Sequence, residues 1–211
     1  MRRRLTRDPE GAEFADLAIN ELLRMHELTE QMLDVSRPRT TAVARCAPVQ
    51  VARDVVRLVT AGILERELRI DVIGEPAIRA AIAGDALQQV LLNAVQNARE
   101  ARRDTTDGVR VQVSVAQRDA GVTITIDDNG PGIPAALRGR VFDPFFSTKA
   151  DFHGVGLGLF VAEGLVRGAG GRLVVGDAPG GGARLVLELS LAAPDDHAAA
   201  PENLGAHSRT T

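Results

Sequence analysis

The sequence predicts an α/β protein, a two-layer sandwich of helices over a mixed sheet preceded by a long helix. Three observations carry this: one 3.6-residue apolar stripe near the start, three further helix-like segments among short β-branched runs, and paired strand signals joined by glycine-bearing turns. At 211 residues, 45% apolar and 25% charged, the chain can bury a core of domain size.

From Pro9 to Arg37, Leu22, Met25, Leu28, Met32 and Val35 recur at steps of three or four, so one helix presents one apolar face. Ser36-Arg37-Pro38-Arg39 stops it, since proline restricts its predecessor and cannot extend a helix through its own ring. A linker is expected from Pro38 to Ala47. Pro48 to Glu67 reads as a second helix and Arg69 to Ile73 as a short strand. Asp85 is expected to cap a third helix running to about Arg103. Val109, Val111, Val113 and Val115 alternate with polar residues, as do Val122, Ile124 and Ile126 after Asp119-Ala120-Gly121; these form a hairpin. A glycine-bearing stretch from Asp127 to Gly158 leads to a helix ending near Arg167. Strands Arg172 to Val175 and Ala183 to Leu189 flank the turn Asp177-Ala178-Pro179-Gly180-Gly181-Gly182. After Ala192 the composition loses all periodicity, and a disordered tail is expected from 192 to 211. The expected domains are therefore a helical segment at 1–37, a linker at 38–47 and an α/β domain at 48–191.

Composition excludes several functions. A net charge of −3, six Phe and no Trp or Tyr leave neither a basic field nor stacking surfaces for nucleic acid. One cysteine, Cys46, cannot form an internal disulfide, and no apolar run approaches the roughly 18 residues that span a bilayer, so a cytoplasmic setting is expected.

Three segments carry chemistry. On the third helix Gln89, Asn93, Asn97 and Glu100 fall within about 80° of one another, beside the apolar arc Leu87, Val90, Leu91, Ala94 and Ala98. Taken alone this is equally a solvated helix edge, but amides bordering a buried face need partners, and Mg²⁺ with phosphate oxygens would supply them. Asp127-Asp128-Asn129-Gly130-Pro131-Gly132-Ile133-Pro134 leaves a strand whose Ile126 faces the core. A carboxylate there can reach a ligand amine while bare glycine backbone lets a flat ring approach, although the same residues also suit a plain turn. Gly154-Val155-Gly156-Leu157-Gly158-Leu159 opens a helix, so free N–H groups and the positive dipole end face outward. A dinucleotide-binding βαβ unit is the rival for such glycines, and it fails because the motif follows a loop late in the chain.

In this order and spacing the segments resemble the ATP-binding domain of sensor histidine kinases, within the GHKL ATPases. Gln89 to Ala101 is similar to the N box, Asp128-Asn129-Gly130-Pro131-Gly132 to the G1 box, Val141-Phe142-Asp143-Pro144-Phe145-Phe146 to the F box and Gly154 to Leu159 to the G2 box. The resemblance runs from about residue 10 to 190 and implies a histidine kinase-like ATPase fold with three helices on the sheet. It implies that Asn97 ligates Mg²⁺ with help from Asn93, that Asp128 accepts from the adenine amine, and that Phe142 to Gly158 forms a mobile lid. Glu100, Gly130, Gly132 and Phe145 join the ATP site by the same resemblance. So do Thr148 and Lys149, which follow the F box as in one subclass, and Val155, Leu157 and the G2 glycines Gly154, Gly156 and Gly158. Val155 stands where many members have Thr, which removes a hydroxyl donor.

Glu21 to Pro38 is similar to the second helix of the family's dimerisation and phosphotransfer hairpin, which implies a possible homodimer and a response regulator as partner. The helix carrying the phosphoacceptor is expected upstream, with only Met1 to Thr6 remaining of it, so this chain is expected not to autophosphorylate. His26-Glu27-Leu28 copies the start of the acceptor motif, but Thr29-Glu30-Gln31 departs from it. Pro38 follows His26 by only twelve positions, too few for a turn and a returning helix of about ten residues. His26 is read as a solvated helix residue. The reaction implied is transfer of the γ-phosphoryl of Mg·ATP to a histidine on a phosphotransfer helix, in cis in a longer protein or in trans. Where resembling hydrolases such as gyrase hold a water-activating glutamate, Asn93 offers an amide that cannot act as base, so rapid hydrolysis is disfavoured. The alternative is a non-catalytic nucleotide-binding module regulating a partner kinase. A third option, an anti-sigma-factor serine kinase, would lack the Phe14 to Arg37 helix and the F box, both present here.

Overall fold

A computed structural model describes residues 44–61, 63, 67–101, 108–119, 121–148 and 156–192. The expected first helix, His26, most of the linker and the expected tail from 193 onward lie outside the described residues. Helix α1 spans Pro48–Thr60, strand β1 Leu68–Gly74, helix α2 Gly84–Ala101, β2 Val109–Arg118 and β3 Gly121–Asp128. A single 3₁₀ turn at Ala135–Leu137 precedes α3 at Gly158–Gly168, β4 at Arg172–Asp177 and β5 at Ala183–Ser190.

The strands form one mixed sheet ordered β1-β2-β3-β5-β4, with β1 and β2 parallel and every other pair antiparallel. Alternation decides which face is covered. Val109, Val111, Val113 and Val115 of β2, Val122, Ile124 and Ile126 of β3, and Leu185, Leu187 and Leu189 of β5 all point into one core. The three helices close that core from the same side, α2 contributing Leu87, Val90, Leu91, Ala94, Val95 and Ala98. On the opposite face, Arg69 and Asp71 of β1, Arg110 and Gln112 of β2 and Glu188 of β5 are exposed, as expected for a two-layer sandwich.

Helix α1 is shorter than the expected Pro48 to Glu67. Thr60 Oγ1 bonds back to the Val56 carbonyl at 2.7 Å and Ala61 turns to ψ 113°, which ends the helix at Thr60, two positions before the glycine at 62. Asp85 does not cap α2 from outside. The helix already starts at Gly84, the Leu87 N–H bonds the Ala83 carbonyl, and the Asp85 carboxylate accepts from the neighbouring Ala86 N–H within the first turn.

The segment between β1 and α2 was not foreseen as structured, yet Ile78, Ala80 and Ile82 are buried in strand-like alternation. Ala80 forms isolated antiparallel bridges with Cys46 on one side and Leu191 on the other, so the end of the expected linker and the end of β5 are stitched to the same short segment. The Ala192 N–H adds a bond to the Arg79 carbonyl. Burial pushes the Cys46 thiol up from 9.0 to about 11, with the Arg79 charge pulling weakly the other way. The folded chain therefore keeps a proton that the unfolded chain loses between those values, and stability falls as pH rises through that window. At neutral pH, alkylation of Cys46 by iodoacetamide should be roughly a hundredfold slower in the folded chain than in denaturant, in proportion to the thiolate fraction. Equal rates would show that the Cys46 bridge is open in solution.

Candidate functional site

Helix α2 carries the polar stripe along the border of its buried face. Asn93 is the only buried polar or charged residue among those described, at 8% exposure, and a buried amide demands partners. It has them: Nδ2 donates to the Gly158 carbonyl at 2.9 Å, and Oδ1 accepts from Gln89 Nε2 at 3.3 Å. The stripe is thus joined to the first residue of α3 across 65 positions of sequence. Asn97, one turn further along, lies beside the same residue, since a Cβ built on Gly158 would stand 4.0 Å from Asn97 Nδ2. Asn97 is half-buried and its amide makes no hydrogen bond among the described residues. Glu100 accepts from Gln96 Nε2 at 2.8 Å and so is partly engaged by its own helix.

The C-terminal end of α2 meets the turn after β3. A Cβ on Gly130 would be 3.5 Å from that of Ala101, which places the turn at the helix C-terminus. Asp128 is held with unusual definition: its Oδ1 accepts from the Gly130 N–H at 2.7 Å and from the Ala183 N–H at 2.9 Å. Both bonds go to one oxygen. Oδ2 has no hydrogen bond among the described residues and remains an acceptor. Asn129 extends the β2–β3 ladder by one rung, its Oδ1 accepting from the Arg110 N–H and its Nδ2 donating to the Gly108 carbonyl. Asp127, on the opposite face, takes a two-pronged bond from Arg184 at 2.6 Å for each prong, and this bonding holds the guanidinium's already high pKa higher still.

The expected lid is described in part. Gly132 lies against the Gly182 carbonyl, and Arg138 ties the following turn to the Ile133 carbonyl and to Asp177. Phe145 is 61% exposed and adopts φ 65°, a conformation that costs a residue with a side chain about 1 kcal/mol or more. It is held there by a bond from its N–H to the Gly156 carbonyl at 3.0 Å. Gly156 itself sits at φ 72°, where a Cβ would come within 2.5 Å of the Phe146 carbonyl oxygen, so only glycine fits against the F-box backbone. Thr148 is exposed, while Lys149, Gly154 and Val155 lie outside the described residues. Leu157 is buried and stands immediately before α3, whose first N–H groups lack partners within the helix.

The structure thus gathers Gly158 against Asn93 and Asn97 along the C-terminal half of α2, and Asp128, Gly130 and Gly132 just beyond its C-terminus. From Asn93 to Ala101 the separation along the helix is about 12 Å at 1.5 Å per residue. Two contributors were missed in the sequence: the Ala183 N–H that fixes Asp128, and Gly182, which packs on the Asp128 backbone. The signal was the glycine run 180–182 entering an alternating strand, which reads as a turn and nothing more. At Gly182, φ is 95° and a Cβ would collide with the Asp128 carbonyl oxygen. Gly182→Ala should therefore cost about 2 kcal/mol or more in stability, read as a lowered thermal midpoint. A midpoint equal to that of the parent chain would mean that this close approach does not persist in solution.

The family model for histidine kinase-, DNA gyrase B-, and HSP90-like ATPases matches residues 83–193. The chain is 32% identical over 193 residues to the signal transduction histidine-protein kinase AtoS of Escherichia coli (strain K12), covering 90% of this chain and 31% of that relative. It therefore spans about a third of AtoS. Among solved structures, the catalytic domain of histidine kinase ThkA superposes with a TM-score of 0.60 at 25% identity, covering 70% of this chain and 94% of that one. The ATP binding domain of PrrB from Mycobacterium tuberculosis gives 0.57 at 26% identity, covering 71% and 98%.

Proposed function

We propose that this chain, which belongs to the family of histidine kinase-, DNA gyrase B-, and HSP90-like ATPases, binds Mg·ATP along α2 and serves as the phosphoryl-donor domain of a sensor histidine kinase in two-component signalling. One observation carries the reading: an elongated site with an amine acceptor at one end and an oxygen ligand beside a helix N-terminus at the other. Asp128, with Oδ1 locked by two backbone amides, turns Oδ2 to the adenine amino group. Gly130 and Gly132 let the ring approach the backbone beside it. At the far end the first N–H groups of α3 meet the phosphates, favoured by the helix dipole. Phe145, Thr148 and Leu157 border that end, and Lys149, Gly154 and Val155, outside the described residues, are proposed to complete the lid with Gly156.

Asn97 fits a Mg²⁺ ligand. It is half-buried, its amide has no other hydrogen bond among the described residues, and Mg²⁺ carried by phosphates takes only one or two protein oxygens. Asn93 assists from the next turn, and Glu100 borders the same stripe. The ion would neutralise charge building between the β- and γ-phosphates. An imidazole nitrogen on a phosphotransfer helix, in cis in a longer protein or in trans, attacks the γ-phosphorus. The N–P bond forms as the bond to the bridging oxygen breaks, the electron pair leaves on ADP, and the ring sheds its proton to solvent. The phosphoryl group then passes to a response regulator. The helical segment at 1–37, proposed as half of a dimerisation hairpin, would join two copies in the cytoplasm. No helix among the described residues is long and apolar enough to cross a membrane.

Mixing the chain with a separate acceptor hairpin and γ-labelled ATP should give phosphohistidine on the hairpin. Nucleotide binding without any transfer would instead leave a regulatory module. Asn97→Asp places an added negative charge among phosphates, and Mg·ATP affinity should fall about tenfold or more, about 1.4 kcal/mol. Calorimetric titration measures this, and an unchanged affinity removes Asn97 from the metal site.

A further inference from the structure

Asp127 and Arg184 lie on the face of the sheet away from the nucleotide, so nothing in the site reading uses them. They are nevertheless the chain neighbours of the two residues that meet at the amine end: Asp127 precedes Asp128, and Arg184 follows Ala183. They are also register partners across β3 and β5. Their side chains join by two bonds of 2.6 Å, with the Asp127 side chain only 13% exposed and that of Arg184 32% exposed.

This placement matters because β5 begins at Ala183, directly after the glycine run 180–182. Glycines lose the most conformational freedom on ordering, so the start of such a strand frays unless something holds it. The Ala183 N–H is one of the two donors on Asp128 Oδ1. If the strand start moves, that oxygen keeps only the Gly130 N–H and the carboxylate can swing about χ1 and χ2. Oδ2 is then no longer aimed. On the other side of Asp128, Asn129 already fixes the backbone to β2. Toward β5, the ladder with β4 holds the backbone of Ala183 and Arg184, and the Arg184 fork adds the side-chain tie from there to β3 beside Asp128.

We propose that the Asp127–Arg184 ion pair is a positioning pair that aims Asp128 Oδ2 at the amino group of the base, and so sets the preference of this site for an aminopurine. The inference rests on the reading of Asp128 as the amine acceptor. A pair that merely strengthens the sheet would, when broken, weaken every nucleotide alike. A pair that aims one acceptor weakens only the ligand that has the amine.

The test compares Mg·ATP with Mg·purine riboside triphosphate, which carries hydrogen in place of the 6-amino group, on the full chain. The unmodified chain should prefer ATP by about tenfold, the worth of one hydrogen bond to a charged acceptor. Arg184→Ala should lose most of that preference by weakening ATP alone. Arg184→Lys, which keeps the charge but not the fork, should fall between the two and provides the measurement if the alanine variant does not fold. In an Asp128→Asn background, Arg184→Lys should change neither affinity further. Equal weakening of both nucleotides, or an ATP preference in Arg184→Lys as large as that of the unmodified chain, overturns the positioning role while leaving Asp128 as acceptor. No preference in the unmodified chain removes the Asp128 reading itself, and the positioning role with it.

Discussion

The bond from Asn93 Nδ2 to the Gly158 carbonyl joins the two helices whose relative placement the proposed phosphate end of the site requires. Helix α2 is fixed by its apolar arc in the core, and α3 by Val161, Ala162, Leu165 and Val166. Those contacts set each helix against the sheet but are not directional, and they leave some freedom of rotation and slide along a helix axis. The amide removes it. A buried donor without its acceptor costs about 1–3 kcal/mol, so the start of α3 cannot drift from Asn93 without that penalty. Asn97, one turn on, then faces the open helix end as a consequence of helix geometry rather than of any contact of its own.

At the opposite end the constraint comes from sheet register. Val111 pairs with Asp128, and Asp127 pairs with Arg184, so the last residues of β3 are held on one side by its hairpin partner β2 and on the other by β5, distant in sequence. A carboxylate at a strand end would ordinarily rotate in solvent. Here two backbone N–H groups converge on one oxygen and leave the other to a ligand. The site is therefore preorganised at both ends before any nucleotide arrives, which lowers the ordering cost of binding.

Much of this was legible from residue pattern. The alternation of Val109 to Val115 and of Val122 to Ile126 identified the hairpin, because a period of two has no helical reading. The stripe of Gln89, Asn93, Asn97 and Glu100 lies on one face of α2 as its spacing requires, and order among four short motifs pointed to the family before any coordinate did. What escaped is non-local or short. The bridges of Ala80 to Cys46 and Leu191 join segments of one or two residues, below the length at which alternation rises above chance, although Ile78, Ala80 and Ile82 hinted at it. The end of α1 at Thr60 was missed because good helix formers continue to Glu67, while one glycine and a threonine bonding backward outweigh that propensity. The Ala183 N–H could not have been found, since a backbone donor leaves no mark in residue type.

The identity of residue 93 carries the last step. Its side chain must donate to a carbonyl oxygen, that of Gly158, and an amide can do so while a carboxylate cannot. A glutamate or aspartate here would set a charged acceptor against another acceptor in a buried position and lose the helix tie. The geometry that fixes the start of α3 is thus incompatible with a strong base at this point in the site. In the proposed reaction that incompatibility has a chemical consequence: no group on this part of α2 can deprotonate a water facing the γ-phosphate. On that proposal bound ATP is spared for an incoming imidazole, which as a neutral nucleophile needs no such base, and the same amide that ties the helices would also decide which nucleophile the site serves.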